Sequence, residues 1–310
     1  MTLPRYAYLG PAGTFTEAAL RAMAPEGTAE HVPMVDVPSA LGAVRSGEVD
    51  FAVVAIENSV EGGVTATLDT LAEGDPLMIL GEHVLPISFE LVAKPGTRLE
   101  DVARVSAHSH GLNQCRRWIA ENLPGVVQVP APSNAAAAVA LADGSKEIDA
   151  ALAPPGTAAS LGLDVLVDGV SDRDSSRTRF VRIGRPGAMP APTGADKTSL
   201  VVHLPSDRAG ALLEMLEQFS VRGVNLSRIE SRPRGDKPGE YSFSMDAMGH
   251  IAEARVAEAL IGLRRTCPVV RFLGSYPAFN GEATPVAPET TDASFDEARD
   301  WVQALRDGRA

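Results

Sequence analysis

The order of apolar and polar runs constrains the fold of this chain more than any other feature of its sequence. From Arg5 to about Ile183, short apolar runs alternate with runs that have helical periodicity. This alternation is typical of α/β layers in which most strands are parallel. The length of the region, together with a long extended stretch at Leu77–Val92, predicts an α/β fold of two lobes joined by crossing strands.

The pattern predicts eight strands and six helices in this region. We predict strands at Tyr6–Leu9, Val32–Val35, Asp50–Ile56, Leu77–Val92, Val102–Ser106, Val126–Val129, Asp149–Leu152 and Thr178–Ile183. We predict helices between them at Thr16–Met23, Ser39–Ser46, Thr65–Ala72, Leu112–Asn122, Ser133–Ala142 and Thr157–Leu161. Ligands of such sheets sit at the carboxyl ends of strands, where helix N-termini converge.

A second pattern follows a segment rich in proline, glycine and alanine. We predict strands at Ser199–Leu204, Asn225–Glu230, Tyr241–Met248 and Val269–Tyr276, helices around Leu212–Phe219 and at Glu253–Leu263, and a turn at Arg234–Gly239. The order βαββαβ is the ferredoxin-like arrangement. We therefore divide the chain into a two-lobed region 5–184, a linker 185–197, a ferredoxin-like domain 198–277 and an acidic tail 278–310 with a short helix at Phe295–Leu305.

Charge and composition exclude several classes of protein. The net charge of −12 argues against a nucleic-acid groove and against a polybasic membrane surface. No apolar stretch approaches the roughly 20 residues that a membrane helix needs. The two cysteines, Cys115 and Cys267, lie far apart and do not form a disulfide framework, which is typical of a reducing cytoplasm.

The first segment with residues suited to binding or catalysis is Gly10–Glu17, which follows a strand and opens a helix. Backbone N–H groups after Gly13 and the hydroxyl of Thr14 can face an anion there. The spacing matches neither a P-loop nor a dinucleotide fingerprint. The alternative is an ordinary strand–helix turn in which Thr16 caps the helix.

The second segment, Ile56–Val64, ends a buried strand with polar residues. Asn58 and Ser59 can donate hydrogen bonds to a carboxylate or a carbonyl. Glu57 would repel an anion unless it holds the loop. The alternative is a glycine-bearing connection in which Glu57 is purely structural.

The third segment, Asp172–Phe180, interleaves three arginines with hydroxyl groups before a strand. Guanidinium groups pair with carboxylates through two hydrogen bonds, so the segment suits a dicarboxylate ligand. The alternative is a solvated run of charges. Two histidines, His108 and His110, lack the further ligands of a metal centre, and we predict no metal and no cofactor.

Together these segments resemble the prephenate dehydratase family. Gly10–Thr16 matches its GPxGT[FY][ST] pattern, Ile56–Gly62 its IENSxxG pattern, and Thr178–Phe180 its Thr-Arg-Phe signature. Gly210–Leu213 and Glu230–Pro233 resemble the GAL and ESRP segments of an ACT domain. The resemblance covers about residues 5–277 in the same order throughout.

This chain departs from the family pattern at a few positions. Ser176 stands where the family often has Asn, and Ala209 where it usually has Pro. The family's SHPQALxQC stretch corresponds here to Ala107–Cys115, which keeps His108, Leu112, Gln114 and Cys115. These changes concern single polar contacts and leave the order of motifs intact.

The resemblance implies a two-lobed catalytic region, like a periplasmic binding protein, followed by an ACT domain. It implies a cytoplasmic enzyme that converts prephenate to phenylpyruvate with loss of CO2 and water, that is regulated by L-phenylalanine, and that forms a homodimer or a homotetramer. Thr178 is the expected catalytic residue, donating a hydrogen bond or proton to the leaving hydroxyl. The expected substrate-binding residues are Gly13, Thr14, Glu57, Asn58, Ser59, Arg179 and Phe180. The expected phenylalanine-binding residues are Gly210, Ala211, Leu212, Leu213, Asn225, Leu226, Glu230 and Ser231.

Two other functions fit parts of the pattern. Arogenate dehydratase performs the same chemistry on a substrate with an amino group in place of the keto group. A non-catalytic amino-acid sensor would use the two lobes only to close on a ligand. The Thr178–Phe180 signature argues against the sensor, and the missing dinucleotide fingerprint argues against a nicotinamide-dependent dehydrogenase.

Overall fold

The first lobe is a mixed sheet with helices packed against it, seen in a computed structural model that describes residues 2–206, 208–233 and 241–309. Its elements are β1 (Arg5–Leu9), α1 (Phe15–Met23), β2 (Glu30–Met34), α2 (Val37–Ser46), β3 (Phe51–Asn58), β4 (Gly62–Gly63), α3 (Thr65–Ala72), β5 (Met78–Pro86) and β11 (Arg177–Gly184). The strand order is β2-β1-β3-β11-β5, with β4 paired to β3. β1 runs parallel to β2 and β3, so their carboxyl ends share one edge.

The second lobe is a five-stranded sheet. Its elements are β6 (Glu90–Ala93), β7 (Arg104–Ala107), α4 (Ser109–Gln114), α5 (Arg116–Asn122), β8 (Val127–Pro130), α6 (Asn134–Ala142), β9 (Ala150–Ala153), α7 (Thr157–Leu161) and β10 (Asp164–Val167), with a short 3₁₀ turn at Leu99–Asp101. The strand order is β10-β6-β9-β7-β8. β7 is parallel to β8 and β9, whereas β6 is antiparallel to β9 and β10. The two sheets confirm the predicted α/β fold of two lobes.

Two predicted elements are each split in the structure. The extended stretch Leu77–Val92 is two strands, β5 and β6, which belong to different sheets. The predicted helix Leu112–Asn122 breaks at Cys115, whose backbone is not helical. Asp172 explains the break, because its carboxylate accepts the N–H groups of Arg117 and Trp118 at 2.9 Å and caps a new helix.

The third sheet has the βαββαβ order that the sequence predicts. Its elements are β12 (Asp196–His203), α8 (Ala211–Ser220), β13 (Leu226–Pro233), β14 (Tyr241–Met248), α9 (Ala254–Thr266) and β15 (Val269–Pro277). The order β13-β14-β12-β15 is antiparallel throughout. Leu200, Met215, Phe243, Met245 and Leu263 are buried in the core between the sheet and its two helices.

The tail contains a helix, α10 (Asp292–Arg306), after a 3₁₀ turn at Pro288–Thr290, and α10 includes the predicted stretch Phe295–Leu305. The predicted turn at Arg234–Gly239 lies outside the described residues. Contacts group the residues up to Thr67 with His83–Phe180 as one unit, and Leu68–Glu82 with the residues from Val181 onward as a second. The predicted domain limits at 184 and 198 stay predictions. In the described part of the chain, no helix is long and apolar enough to cross a membrane.

Candidate active site

A cavity of about 450 Å³ lies between the two lobes of the first unit. Its polar lining residues are Thr14, Thr16, Asp36, Asn58, His108, His110, Gln114, Ser133, Asn134 and Thr178. Its apolar lining includes Phe15, Val37, Pro38, Ile87, Phe89, Pro132, Pro154 and Phe180. The volume lies in the usual range for a small-molecule site, and a largely apolar wall with a few converging polar groups is typical of one.

Thr178, the expected catalytic residue, lies on the cavity wall at the start of β11. The side-chain amide of Asn58, at the end of β3, donates a hydrogen bond to its hydroxyl oxygen at 2.9 Å. No described residue accepts the hydrogen of that hydroxyl. Because Asn58 occupies the oxygen as a donor, the Thr178 hydroxyl is left to donate its hydrogen to a molecule in the cavity.

The orientation of Asn58 is set by its own loop. Its carbonyl oxygen accepts the N–H groups of Val60 at 2.8 Å and Glu61 at 3.2 Å. An amide whose oxygen is held by two donors must turn its NH2 group the other way, which is toward Thr178. The loop after β3 therefore fixes which partner of the Asn58–Thr178 hydrogen bond is the donor.

Ser59 joins the same two strands from outside the cavity lining. Its N–H donates to the carbonyl of Arg177, and its hydroxyl accepts the N–H of Arg177, both at 2.9 Å. These bonds fix β3 against β11 beside Asn58 and Thr178. The structure therefore places Ser59 as a support of the two strand ends.

Gly13 and Thr14 form the start of α1. The Thr14 hydroxyl accepts the N–H of Glu17 at 3.2 Å and donates to the carbonyl of Leu9 at 2.9 Å. The Gly13 N–H donates to the Glu17 carboxylate at 2.5 Å, and Gly13 has a φ of +85°, which favours glycine. The helix cap is therefore Thr14 and not Thr16, and its hydroxyl is already committed.

Several helix N-termini border the cavity, among them those of α1, α2 and α6, and such ends attract anions. α1 and α6 are capped by the uncharged hydroxyls of Thr14 and Ser133. α2 is capped by Asp36, and hydrogen bonds from the side chain and backbone of Ser39 hold the pKa of this carboxyl below its usual value. Orphan N–H groups and the helix dipole favour anions at such ends. The Glu17 carboxylate already accepts the Gly13 N–H at the start of α1, whereas the first turn of α6 carries no acidic residue, so the N-terminus of α6 is the better site for a carboxylate.

Arg179 and Glu57 are held by each other rather than placed on the cavity wall. The Arg179 guanidinium lies 3.4 Å from the Glu57 carboxylate, and Arg179 is buried. Successive residues of a strand point to opposite faces, so Arg179 points away from the face that presents Thr178 and Phe180. Among the described residues that line the cavity, none is an arginine or a lysine. The predicted substrate contacts of Arg179 and Glu57 stay predictions without support from this geometry.

Phe180 forms an apolar part of the wall and is almost fully buried. Phe15, at the start of α1, and Phe89, just before β6, also line the cavity, and their rings pack edge to face with centroids 5.4 Å apart. These rings give a flat, unsaturated substrate an apolar surface against which it can lie.

Gln114 and Asn134 are cavity residues that the sequence reasoning did not select. The Gln114 side-chain oxygen accepts the Ser176 hydroxyl at 3.1 Å, so its NH2 group is free to face the cavity. The Asn134 side-chain oxygen accepts the N–H of His108 at 2.9 Å. Gln114 belongs to the retained stretch Ala107–Cys115, which was the available signal.

The surroundings of His108 favour its neutral form. Burial, and next the neighbouring His110, lower the pKa of His108. Its Nδ1 accepts the N–H of His110 at 3.3 Å, which leaves the hydrogen on Nε2.

In the described residues, no group of three or more His, Cys, Asp or Glu side chains could hold a metal ion. Burial, with a smaller effect of Asp172, raises the pKa of the Cys115 thiol to about 12.

The expected effector residues lie at two edges of the third sheet. Gly210–Leu213 open α8, and Leu212 and Leu213 are exposed. Glu230 and Ser231 lie toward the end of β13, at the edge where β12 ends, because Ser231 pairs with Phe243 and His203 with Ser242. Asn225 and Leu226 follow the other end of α8, at the edge where Leu226 pairs with Ala247. Gly210–Leu213 lie at the start of α8, and Asn225 and Leu226 follow its end. Because a ten-residue helix is about 15 Å long, these two sets of residues do not meet within one chain.

Comparisons with known proteins agree with this architecture. A family model described as prephenate dehydratase matches residues 6–188, and an ACT domain model matches residues 198–265. A prephenate dehydratase of Amycolatopsis methanolica is 45% identical over 99% of this chain and 99% of its own length. A crystal structure of prephenate dehydratase from Arthrobacter aurescens in complex with L-Phe is 51% identical, covers 98% of this chain and 99% of its own, and has a TM-score of 0.92. GqqA, described as a novel type of quorum-quenching acylase, is 30% identical, covers 88% of this chain and 98% of its own, and has a TM-score of 0.76.

Proposed function

The chain belongs to the prephenate dehydratase family, and on that premise we propose that it converts prephenate to phenylpyruvate, CO2 and water. The observation that carries the proposal is the Thr178 hydroxyl, buried on the cavity wall with its oxygen held by Asn58 and its hydrogen available. This is the geometry that a donor to a leaving hydroxyl group requires.

The substrate carries two carboxylates, and a helix N-terminus on the cavity wall suits one of them. We assign one carboxylate to the first turn of α6, in the second lobe, because its cap is the uncharged hydroxyl of Ser133 and its first turn carries no acidic residue. Backbone N–H groups can hold a carboxylate without the net charge of an arginine. A ligand that contacts both α6 in the second lobe and Thr178 in the first would draw the lobes together and exclude water from the reacting ring.

The reaction needs little more than placement and one hydrogen-bond donor. The bond between the ring and its carboxylate breaks, and its electron pair enters the ring as the bond to the ring hydroxyl breaks. The hydroxyl takes up a proton, which passes through the Thr178 hydroxyl and is replaced from solvent, and leaves as water while the ring becomes aromatic. A threonine hydroxyl is a weak acid in water, so Thr178 contributes through its fixed position rather than through its acidity.

A direct assay tests this function and separates it from its nearest rival. Purified chain should form phenylpyruvate from prephenate, followed by the absorbance of the product in base. A parallel assay with arogenate should give a lower kcat/KM. Turnover of arogenate alone would reassign the chain to arogenate dehydration, and turnover of neither substrate would leave only the sensor function.

Acyl-amide hydrolysis, suggested by the likeness to GqqA, fits the cavity less well. Hydrolysis through a covalent intermediate needs a nucleophile beside a base. The neighbour of the Thr178 hydroxyl is an amide NH2 group, which donates a hydrogen and accepts none. The raised pKa of about 12 keeps the Cys115 thiol protonated and unreactive.

Phenylalanine is the proposed effector of the third sheet. The N-terminus of α8 is suited to the carboxylate of an amino acid, and the exposed Leu212 and Leu213 beside it offer an apolar contact. Because Asn225 and Leu226 lie at the other edge, a site built from both groups needs a second copy of the chain. We therefore expect a homodimer or homotetramer in which phenylalanine binds between subunits.

The cytoplasm is the proposed location. Both cysteines are free and buried, and the pKa of each thiol is raised by burial. Free thiols persist where the surroundings are reducing.

A further inference from the structure

A histidine of the second lobe contacts a glutamate of the first across the mouth of the cavity. His110 Nε2 lies 2.9 Å from a carboxylate oxygen of Glu61. His110 belongs to α4, whereas Glu61 lies in the loop between β3 and β4. The His110 side chain is 61% exposed and that of Glu61 27%, so the contact lies at the rim rather than in the core.

The histidine ring is held in place by its own lobe. The rings of His108 and His110 pack edge to face with their centroids 4.7 Å apart. The N–H of His110 also donates to Nδ1 of His108. The position of His110 therefore moves with the second lobe.

Two hydrogen bonds connect Glu61 to the Thr178 hydroxyl through Asn58. The N–H of Glu61 donates to the Asn58 side-chain oxygen at 3.2 Å, and the Asn58 NH2 group donates to the Thr178 hydroxyl at 2.9 Å. The backbone that carries Glu61 therefore helps to set the rotation of the Asn58 amide. That rotation decides which way the Thr178 hydroxyl hydrogen points.

We propose that His110 is a positioning residue for the dehydration, acting through Glu61 and Asn58 on Thr178. When the lobes close, His110 holds Glu61, and the loop after β3 keeps the Asn58 amide aimed at Thr178. When they open, the loop loses this restraint and the Thr178 hydroxyl loses its fixed direction. The inference deepens the proposed function and rests on it, because it links closure of the cleft to the catalytic group.

Exchanging the two side chains tests the proposal. The single variants His110→Glu and Glu61→His each place like or weakly interacting groups across the rim. Each should lower kcat by about tenfold, within the range that coupled contacts show. The double variant restores one glutamate and one histidine across the same gap and should recover most of the lost turnover. Glu121→His, an exposed change on α5, is the matched control and should leave kcat unchanged.

If His110 acts through Thr178, its effect on kcat should depend on the threonine hydroxyl. In the Thr178→Val background, His110→Glu should have no further effect on kcat, because the group that it positions has been removed. Circular dichroism and the melting temperature of each variant identify any that fail to fold, and His110→Ala, which removes the donor without adding a charge, then replaces His110→Glu. Two results would overturn this inference while leaving the proposed function intact, provided that the wild type turns over prephenate. One is a double variant whose loss of kcat equals the sum of the two single losses. The other is an effect of His110→Glu on kcat that is as large in the Thr178→Val background as in the wild type. A wild type that forms no phenylpyruvate would overturn the proposed function.

Discussion

The side-chain amide of Asn58 donates a hydrogen bond to the hydroxyl oxygen of Thr178, joining the end of β3 to the start of β11. Two backbone N–H groups hold the amide oxygen and leave its NH2 group as the donor. The direction of this single hydrogen bond determines whether the threonine hydroxyl can serve a substrate. The candidate site is therefore defined by a pair of residues and not by the threonine alone.

Replacing Asn58 with aspartate should reverse that hydrogen bond. Asn58→Asp puts a carboxylate oxygen where the NH2 group stood, so the Thr178 hydroxyl would donate to it and no longer to the substrate. We expect kcat to fall by about 100-fold or more, the loss that follows removal of one preorganised donor. Steady-state kinetics with prephenate measure the effect.

A comparison with Asn58→Ala separates loss of the amide from reversal of the bond. The alanine variant removes the restraint on Thr178 but leaves its hydrogen available, so its kcat should exceed that of the aspartate variant. Equal kcat in Asn58→Asp and wild type would refute the assigned direction.

The thiol of Cys115 should be unreactive in the native protein. Because its pKa is raised to about 12, the thiolate is a minor species at pH 8, and the fraction grows as pH rises toward that value. A disulfide reagent such as dithionitrobenzoate should label the native chain slowly at pH 8 and label both cysteines rapidly after denaturation. Activity should persist through the native incubation. Rapid labelling of Cys115 in the folded protein, with loss of turnover, would show that the thiol is exposed to chemistry.

Phenylalanine binding should depend on two edges of the third sheet that come from different subunits. Leu213→Asp places a negative charge beside the N-terminus of α8, and Asn225→Ala removes a polar group at the other edge. Each variant alone should lose phenylalanine binding, measured by titration calorimetry. Oligomers that mix the two variants should regain binding, because one of the two binding sites of a mixed dimer then contains neither change.

The mixed oligomer provides its own control. The two homo-oligomers, passed through the same mixing procedure separately, should stay unable to bind phenylalanine. No recovery in the mixture, despite exchange of subunits, would place the effector site within one chain.

Local patterns predicted the elements well where the sequence neighbours decide them. The bounds of β14 (Tyr241–Met248) match the prediction, because its residues alternate between polar and apolar as in a strand, although both sets are buried in the structure. The start of α1 was placed at Thr16 instead of Phe15, since both Thr14 and Thr16 are suitable caps.

Long-range contacts decided what the sequence could not predict. The helix break at Cys115 depends on Asp172, and the orientation of Gln114 depends on Ser176, both far along the chain. The face of Arg179, by contrast, could have been read from strand alternation with Thr178. The chemistry of arginine favours a contact with a substrate carboxylate, whereas strand alternation places Arg179 on the face opposite Thr178.

The turnover of a threonine variant tests the central claim most directly. Thr178→Val keeps the size of the side chain and removes the hydroxyl, so kcat for phenylpyruvate formation should fall by about 100-fold or more while KM changes little. Thr178→Ser should retain most of the turnover, and Thr28→Val, an exposed change elsewhere in the first lobe, should retain all of it. A kcat for Thr178→Val close to that of wild type would contradict the account.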